Sequence, residues 1–417
     1  MEEKQMKKII ALLLVLVMVL GLAACGGKAD DSKTVVYWAM WESTEPQGQA
    51  IAAAVEQFTK ETGIKVDLQF KGRTGIREGL QPALDAGQTI DVFDEDIDRV
   101  NTTFAPYLLN LEELAKKYDY EKTAIAGLIG ACREVGGGQL MTIPYQPNVF
   151  NFFYNAEIFE KVGVSEPKTW EELLDVCEKI KAAGYTPITC DDAYITCMIG
   201  YHLGRLVGEE GVKDIVQNGK WDDPAVAQFA ADYAELAAKG YFSANIESNV
   251  WPNGQNVELA GGQAAMYLNG SWLPNEVKSI TGEDFKWGCF SYPTVKNGTV
   301  GLEAANYGAQ VYAINAKTQV ADEAFQLINY LTKGEADQNL STMSVGIPAD
   351  TSNTEWPALM AGVKPVMEAT TVRWSWAVGV ESNNDITPAI KENVLKLCGG
   401  SITADEFIAN MKAAAGK

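Results

Sequence analysis

The chain has 417 residues, of which 55 are acidic and 34 are basic, so its formal net charge is −21. Phosphate binding needs clustered Lys and Arg, and this acidic balance argues against nucleic acid as a partner. The length exceeds what one hydrophobic core usually supports, so two domains are expected.

The N-terminal residues have the order of an export signal. Basic residues precede an apolar run at 9–20, and small residues follow it. The run is too short to span a bilayer comfortably. Leu22-Ala23-Ala24-Cys25 also resembles the bacterial lipobox, in which the Cys thiol is acylated and becomes the new N-terminus. We therefore predict a lipoprotein signal peptide at 1–24, lipidation of Cys25, a flexible linker at 25–33, and a lipid anchor on the extracytoplasmic side of the cell membrane.

The first part of the mature chain alternates between strand and helix patterns. Residues 34–40 form a continuous apolar run, which is typical of a strand buried on both faces. The next segment places Ile51, Val55 and Phe58 on one helical face and ends at Gly63. Further elements are predicted as a strand at 64–70, a helix at about 75–86 and a strand at 90–93. This order predicts a parallel sheet with right-handed crossovers.

The alternation begins again in the second part of the chain. Thr169 and Glu172 predict a capping box for a helix at 170–183. Asp223-Pro224 predicts the start of a helix that runs to Gly240. Buried strands are predicted at 185–190 and 264–268. The sequence therefore predicts two α/β lobes.

The stretch IPYQPNVFNFFYN, residues 143–155, has two prolines three residues apart and then several aromatic residues. Each Pro lacks the N–H that a central strand needs. We predict that the chain leaves one sheet here, bends through Tyr145–Asn148 and enters the other sheet. A second crossing is predicted at Lys286–Pro293, and the alternative is a surface hairpin in one large domain. The predicted lobes are 34–146 with a return at about 292–343, and 147–291 with a return at about 344–417.

Four stretches resemble the bacterial extracellular solute-binding proteins of family 1, the carbohydrate-type lipoproteins that serve ABC importers. They are FTKETGIKVDLQF (58–70), IPYQPNVFNFFYNAEIFEKVGVSEPKTWEELL (143–174), GQAAMYLNGSW (262–272) and AINAKTQVADEAFQLINYLT (313–332). The resemblance implies a two-lobed periplasmic-binding-protein-like fold of type II, in which the chain passes between the lobes three times. It also implies a monomeric, non-enzymatic protein without cofactor that carries a sugar or oligosaccharide to permease subunits.

The expected ligand site lies between the lobes, because ligands of open parallel sheets bind beyond the carboxyl ends of the strands. The first strand ends at Trp41-Glu42, and the third ends in DEDIDR, residues 94–99. By resemblance, the sugar contacts are expected at Trp41, Glu42, Asp98, Arg99, Asp191, Asp192, Tyr194, Trp272, Trp374 and Trp376. An indole covers the C–H face of a pyranose, and charged side chains form strong hydrogen bonds with its hydroxyls.

Other interpretations stay open at this point. Glu42 and the acidic loop 94–98 would also suit a polyamine or another cation, and an exported glycoside hydrolase would also have an acidic, aromatic cleft. The loop matches half of a calcium-binding pattern, although Arg99 replaces the needed Gly and Ala105 the terminal Glu. Any single Trp is more often a core residue than a ligand platform.

The metal-binding residue types are sparse. The six cysteines after Cys25 form no CxxC pair, and His202 is the single histidine of the chain. We predict that the cysteines are mostly small buried apolar residues, that His202 is a filler of the core or the surface, and that the protein holds no metal site.

Overall fold

The computed structural model describes residues 34–416, so the predicted signal peptide, Cys25 and the linker lie outside the described residues. The strands are β1 (Thr34–Ala39), β2 (Lys65–Phe70), β3 (Val92–Asp96), β4 (Thr142–Asn155), β5 (Thr186–Thr189), β6 (Ala264–Gly270), β7 (Trp287–Phe290), β8 (Ala304–Ile314) and β9 (Val372–Trp374).

Helices connect these strands and cover the sheet. They are α1 (Pro46–Thr62), α2 (Gly72–Asp85), α3 (Ile97–Thr103), α4 (Glu112–Lys117), α5 (Ala126–Val135), α6 (Ala156–Val162), α7 (Trp170–Ala182), α8 (Ile195–Asn218), α9 (Pro224–Ala238), α10 (Gly254–Ala260), α11 (Leu273–Glu276), α12 (Lys278–Thr281), α13 (Ala321–Leu331), α14 (Gly334–Ser344), α15 (Val363–Ala369), α16 (Thr387–Gly399) and α17 (Ala404–Ala414). Within the part of the chain that is described, no helix is both long and apolar enough to cross a membrane.

The described strands form one mixed sheet with the main order β2-β1-β3-β8-β4-β6-β5. At one end β1 pairs in parallel with β2 and β3, and at the other end β5 pairs in parallel with β6. The long strands β4 and β8 run antiparallel through the centre and join the two ends. The α/β class and the two parallel units predicted from the sequence are thus confirmed.

Two hydrophobic cores divide the molecule into two lobes. Lobe 1 is built around β1, β3 and α1, and lobe 2 around α7, α8, α9 and β6. Apart from Leu128, which packs in the lobe 2 core, membership changes from one core to the other three times, within residues 145–149, 309–311 and 340–345. The three passages of the chain that the resemblance implied are therefore present.

The second crossing predicted at Lys286–Pro293 is wrong. Its central residues form β7, which pairs with residues 152–155 of β4 and packs in the core of lobe 2. The chain instead crosses within β8, so the return to lobe 1 falls near residue 310 rather than near 292. A proline-bounded extended segment is typical of an edge strand as well as of a crossing, and only the pairing partner distinguishes the two.

Several local predictions are confirmed. Thr169 and Glu172 form the reciprocal capping box of α7, and the Asp223 carboxylate accepts the N–H of Ala225 at the start of α9. Gly63 ends α1 with φ of 75°, which Gly adopts without a Cβ penalty. The six cysteines of the described chain are free and buried.

The single histidine of the chain lies in the hydrophobic core of lobe 2. His202 is fully buried in lobe 2, where its ring nitrogens lie 3.1 Å from Tyr292 Oη and 2.9 Å from Asp232 Oδ2. Burial lowers the pKa of His202, against the opposing effect of Asp232. Of the two positions that the sequence allowed for His202, core or surface, the structure shows the core.

Candidate ligand-binding site

A cavity of about 930 Å³ lies between the lobes and is lined by residues of both lobes and of the crossing strands. This volume lies near the upper end of ligand sites in proteins, which are roughly 300–1,000 Å³. The wall combines aromatic rings, amides, carboxylates and arginines, so it suits a ligand that has both apolar faces and many hydroxyl groups.

On the lobe 1 side, Trp41 follows β1 and lines the cavity with a small part of its surface, since the residue is 4% exposed. Its Nε1 donates a hydrogen bond to Tyr145 Oη at 2.8 Å, and the Arg73 guanidinium lies 4.7 Å from the centroid of its ring. Tyr145 in turn donates to the Asp94 carboxylate. Since Tyr145 stands in β4 next to the bend, this chain of hydrogen bonds connects the lobe 1 indole to a crossing strand.

Asp94 is fully buried below Trp41. It accepts hydrogen bonds from Tyr37 Oη at 3.1 Å and from the backbone N–H of Met40 at 3.0 Å, in addition to Tyr145. Burial raises the pKa of Asp94 to about 7, and the hydrogen bonds oppose this shift. Asp94 therefore holds the end of β1 and the bend of β4 together, and it does not line the cavity.

The predicted acidic loop 94–98 is in fact the end of β3 and the start of α3, and its other acidic residues also have separate partners. Asp96 caps α3 by accepting the N–H of Asp98 at 2.9 Å, and burial raises its pKa to about 6. Glu95 pairs with Arg77 at 2.5 Å, and Asp98 pairs with Arg373 at 2.6 Å. The half calcium pattern 94–98 thus directs its carboxylates to different protein groups. Among residues 34–416 no three His, Cys, Asp or Glu side chains are grouped so as to hold a metal ion.

The wall from lobe 2 is an aromatic cluster on Phe150 of β4. The rings of Tyr194, Trp272 and Trp376 have centroids 5.6, 5.9 and 5.6 Å from that of Phe150, respectively. Tyr194 also lies 6.2 Å from Trp272. Trp272 and Trp376 are half-buried, so the cluster is supported from behind and open towards the cavity.

The turn that carries Trp376 is accommodated by small residues of α8. Ala377 and Val378 have φ of 48° and 54°, a region that residues other than Gly rarely adopt. A Cβ atom on Gly200 would lie 2.1 Å from the Ala377 carbonyl oxygen, so only Gly permits this approach. Strained backbone of this kind persists where the surrounding packing fixes it, often at binding sites.

Two predicted acidic residues support the lobe 2 wall from behind. Asp191 is fully buried and accepts the N–H groups of Ala193 at 2.7 Å and Tyr194 at 3.1 Å, which positions Tyr194. Burial raises the pKa of Asp191 to about 6. Asp192 accepts the backbone N–H of Trp251 at 3.0 Å and so fixes a loop at the edge of the cavity.

The structure brings six of the ten predicted site residues to the cavity wall and leaves four outside it. Those that line the cavity are Trp41, Asp98, Arg99, Tyr194, Trp272 and Trp376, and those that do not are Glu42, Asp191, Asp192 and Trp374. Ligand contact by the six lining residues stays a prediction.

The expectation that Trp374 reaches the cavity is wrong. Trp374 is 2% exposed, packs edge-on against Tyr201 at 5.3 Å and lies under the Arg205 guanidinium at 4.8 Å. Its neighbour Arg373 and the following Trp376 line the cavity, whereas Trp374 packs in the core of lobe 2. The exposed Glu42 carboxylate lies instead beside Gly72 at the start of α2.

The cavity residues that sequence reasoning missed include Gln146, Trp251, Gln310 and Arg373. The Oε1 atoms of Gln146 and Gln310 are buried and accept no hydrogen bond from any described residue. Gln146 occupies the bulge of β4 with φ of 44°. The Gln-Pro bend in the sequence could have indicated Gln146 as a cavity residue. Gln310 and Arg373 have no such local signal, because they reach the cavity through the pairing of β8 with β3, β4 and β9.

Residues 41–338 match the model of the bacterial extracellular solute-binding protein family. The chain belongs to this family. The matched range begins at Trp41 and contains both crossing strands, so it includes most of the cavity wall of this solute-binding protein.

Named relatives and solved structures agree with this assignment. The protein is 25% identical to the multiple sugar-binding protein of Streptococcus mutans serotype c, over 76% of each chain. It is 24% identical to the galactooligosaccharide-binding protein of Bacillus subtilis, over 86% of this chain and 84% of that one. A solved structure titled SBP RafE in complex with raffinose superposes with a TM-score of 0.70 at 20% identity, over 91% of this chain and 98% of the other, which confirms the two-lobed fold.

Proposed function

We propose that this solute-binding protein is a lipid-anchored, monomeric receptor of an ABC importer, which captures an oligosaccharide in the interlobe cavity and presents it to the permease. The observation that carries the proposal is that one cavity is lined both by indole rings and by polar groups that form ion pairs with each other. Trp41 belongs to one lobe, and Trp272 and Trp376 belong to the other. Several relatives have names that refer to sugars, which supports a carbohydrate ligand.

The electrostatics of the wall support a neutral ligand over a cationic one. Three carboxylates of lobe 1 that line the cavity are paired with arginines, in Glu45–Arg73 at 2.8 Å, Glu95–Arg77 and Asp98–Arg373, and a fourth, Asp96, caps α3. A polyamine would have to displace these arginines before it could use the carboxylates. Sugar hydroxyls can instead accept from the arginine N–H groups and donate to the carboxylate oxygens while the ion pairs stay formed.

The mechanism is hinge closure without covalent chemistry. A ligand held between Trp41 and the Phe150 cluster contacts both lobes only when they are close together, so its binding free energy favours the closed state. The lobes are connected by the bulge at Gln146 in β4 and by residues 309–311 of the adjacent strand β8. Release to the permease then requires that the lobes separate again.

A thermal-shift screen tests this function. The mature protein is heated with galactose, raffinose, stachyose, diacetylchitobiose, xylotriose and spermidine, because a ligand that binds only the folded state raises the melting temperature. We expect at least one oligosaccharide to raise it and spermidine to leave it unchanged. A shift with spermidine alone would contradict the carbohydrate assignment. Release of free sugar from the same oligosaccharides on incubation would show an enzyme instead.

A further inference from the structure

Trp251 is an exposed indole at the edge of the cavity. Its exposed fraction is 43%, and it lines the same cavity as Trp272 and Trp376. It is not part of the aromatic cluster on Phe150, which consists of Tyr194, Trp272 and Trp376. The cavity therefore has an inner aromatic platform and a separate outer indole.

The loop that carries Trp251 is held in place by hydrogen bonds. Asp192 Oδ1 accepts the Trp251 backbone N–H at 3.0 Å, and the Asp192 backbone N–H donates to the Asn249 carbonyl at 3.2 Å. Asn249 Nδ2 donates to the Cys190 carbonyl at 3.2 Å. A Cβ on Gly254 would lie 2.3 Å from Asn249 Oδ1, so the start of α10 packs tightly on the same loop. The outer indole is thus presented from a fixed position at the end of β5.

A polar group lies between the inner and outer indoles. Glu276 follows Trp272 by one helical turn, and its backbone N–H donates to the Trp272 carbonyl at 3.0 Å. Its carboxylate accepts a hydrogen bond from Asn256 Nδ2 at 2.6 Å and also interacts with the Trp251 side chain. Glu276 therefore contacts both indole-bearing residues, and the lobe 2 wall has the order Trp272, Glu276, Trp251.

This order matches the surface of a sugar chain. Each pyranose ring presents an apolar C–H face that an indole covers, and successive rings are separated by a rim of hydroxyls that hydrogen-bond to a carboxylate. A single ring on Trp272 would leave the outer indole in water, whereas a longer chain would cover it.

We infer that Trp251 is an outer platform that binds an additional ring of an oligosaccharide and makes the affinity depend on chain length. The inference rests on the proposed carbohydrate function. It concerns a residue at the edge of the site, so replacing Trp251 should leave the binding of a monosaccharide unchanged.

The test compares Trp251→Ala and Trp251→Phe with the parent protein by calorimetric titration. The probes are three series of increasing length: xylose to xylotetraose, N-acetylglucosamine to its tetramer, and galactose, raffinose and stachyose. In the series that binds, Trp251→Ala should reduce the affinity for the longest member at least about tenfold and that for the shortest member less than twofold. Trp251→Phe, which keeps a flat apolar ring, should recover most of the loss.

Val257→Ala is the matched control, since Val257 is also exposed, at 51%, and does not line the cavity. It should change neither affinity nor length dependence, and the melting temperature of both alanine variants should equal that of the parent. An equal loss for all lengths, or no loss for any, would overturn the inference while the carbohydrate function stands. A parent that binds none of the three series would overturn the proposed function itself.

Discussion

Arg373 Nη2 lies 2.6 Å from Asp98 Oδ1, and this ion pair joins the two lobes across the cavity. Asp98 stands at the start of α3 in lobe 1, and Arg373 stands in β9, which pairs with the lobe 2 part of β8. The Arg373 side chain is 11% exposed, and its charge is balanced mainly by Asp98, with smaller contributions from Asp96 and Glu209. The pair therefore favours the arrangement in which the lobes are close together.

Asp98→Asn should weaken ligand binding about tenfold, because it leaves the buried Arg373 charge without its counterion only when the lobes are closed. Titration with the oligosaccharide that binds best measures the affinity, and X-ray scattering should show a larger radius of gyration for the unliganded variant. Glu112→Gln is the control, since Glu112 pairs with Arg133 at 2.8 Å within lobe 1. Unchanged affinity and unchanged radius of gyration in Asp98→Asn would contradict a role in closure.

Trp272→Ala should reduce the affinity for that oligosaccharide at least about tenfold, or roughly 1.4 kcal/mol, because the half-buried indole supplies the inner stacking surface. Its ring lies directly over Gly270, where a Cβ would be 2.2 Å from it. The free energy of unfolding should change much less than in Trp221→Ala, where loss of a fully buried indole costs roughly 3–5 kcal/mol. Intact affinity together with a large loss of stability would show that Trp272 is a core residue.

The stability of lobe 1 should depend on pH through Asp94. Its pKa in the folded protein is about 7 because of burial, against about 3.9 in an unfolded chain. At a pH between these two pKa values, the folded state binds more protons than the unfolded state. The free energy of unfolding should therefore fall as the pH rises, by up to about 1.4 kcal/mol per pH unit. Asp94→Asn should flatten this dependence in urea unfolding at pH 5, 6, 7 and 8. The exposed Asp284→Asn is the control, and an equal slope in Asp94→Asn and the parent would count against the assignment.

Cys25→Ser should release the protein from the membrane, because the residue that we predict to carry the lipid is lost. Fractionation of cells that express the parent and the variant measures the membrane-bound share. Ser32→Ala, in the predicted linker, should remain bound as the parent does. Equal retention of the Cys25→Ser variant would mean that another segment anchors the protein.

The sequence by itself determined the elements and the family. Strand and helix periods, the capping box at Thr169 and the Gln-Pro bend at 146–147 are local signals, since each depends on residues within one turn or one strand. They were sufficient to place the α/β lobes and the first crossing, and the end of β1 correctly indicated Trp41 as a cavity residue.

The tertiary structure alone decided which strand crosses second and which polar residues face the ligand space. β7 and β8 are both apolar extended segments. β8 crosses between the lobes because it pairs with β4 in both lobes, whereas β7 pairs with the lobe 2 part of β4 alone. Asp191 and Trp374 match the expected residue types, but burial behind Tyr194 and against Arg205 removes them from the wall. Arg373 meets Asp98 across 275 positions of sequence, and such a contact is fixed by the packing of whole lobes, which no local pattern encodes.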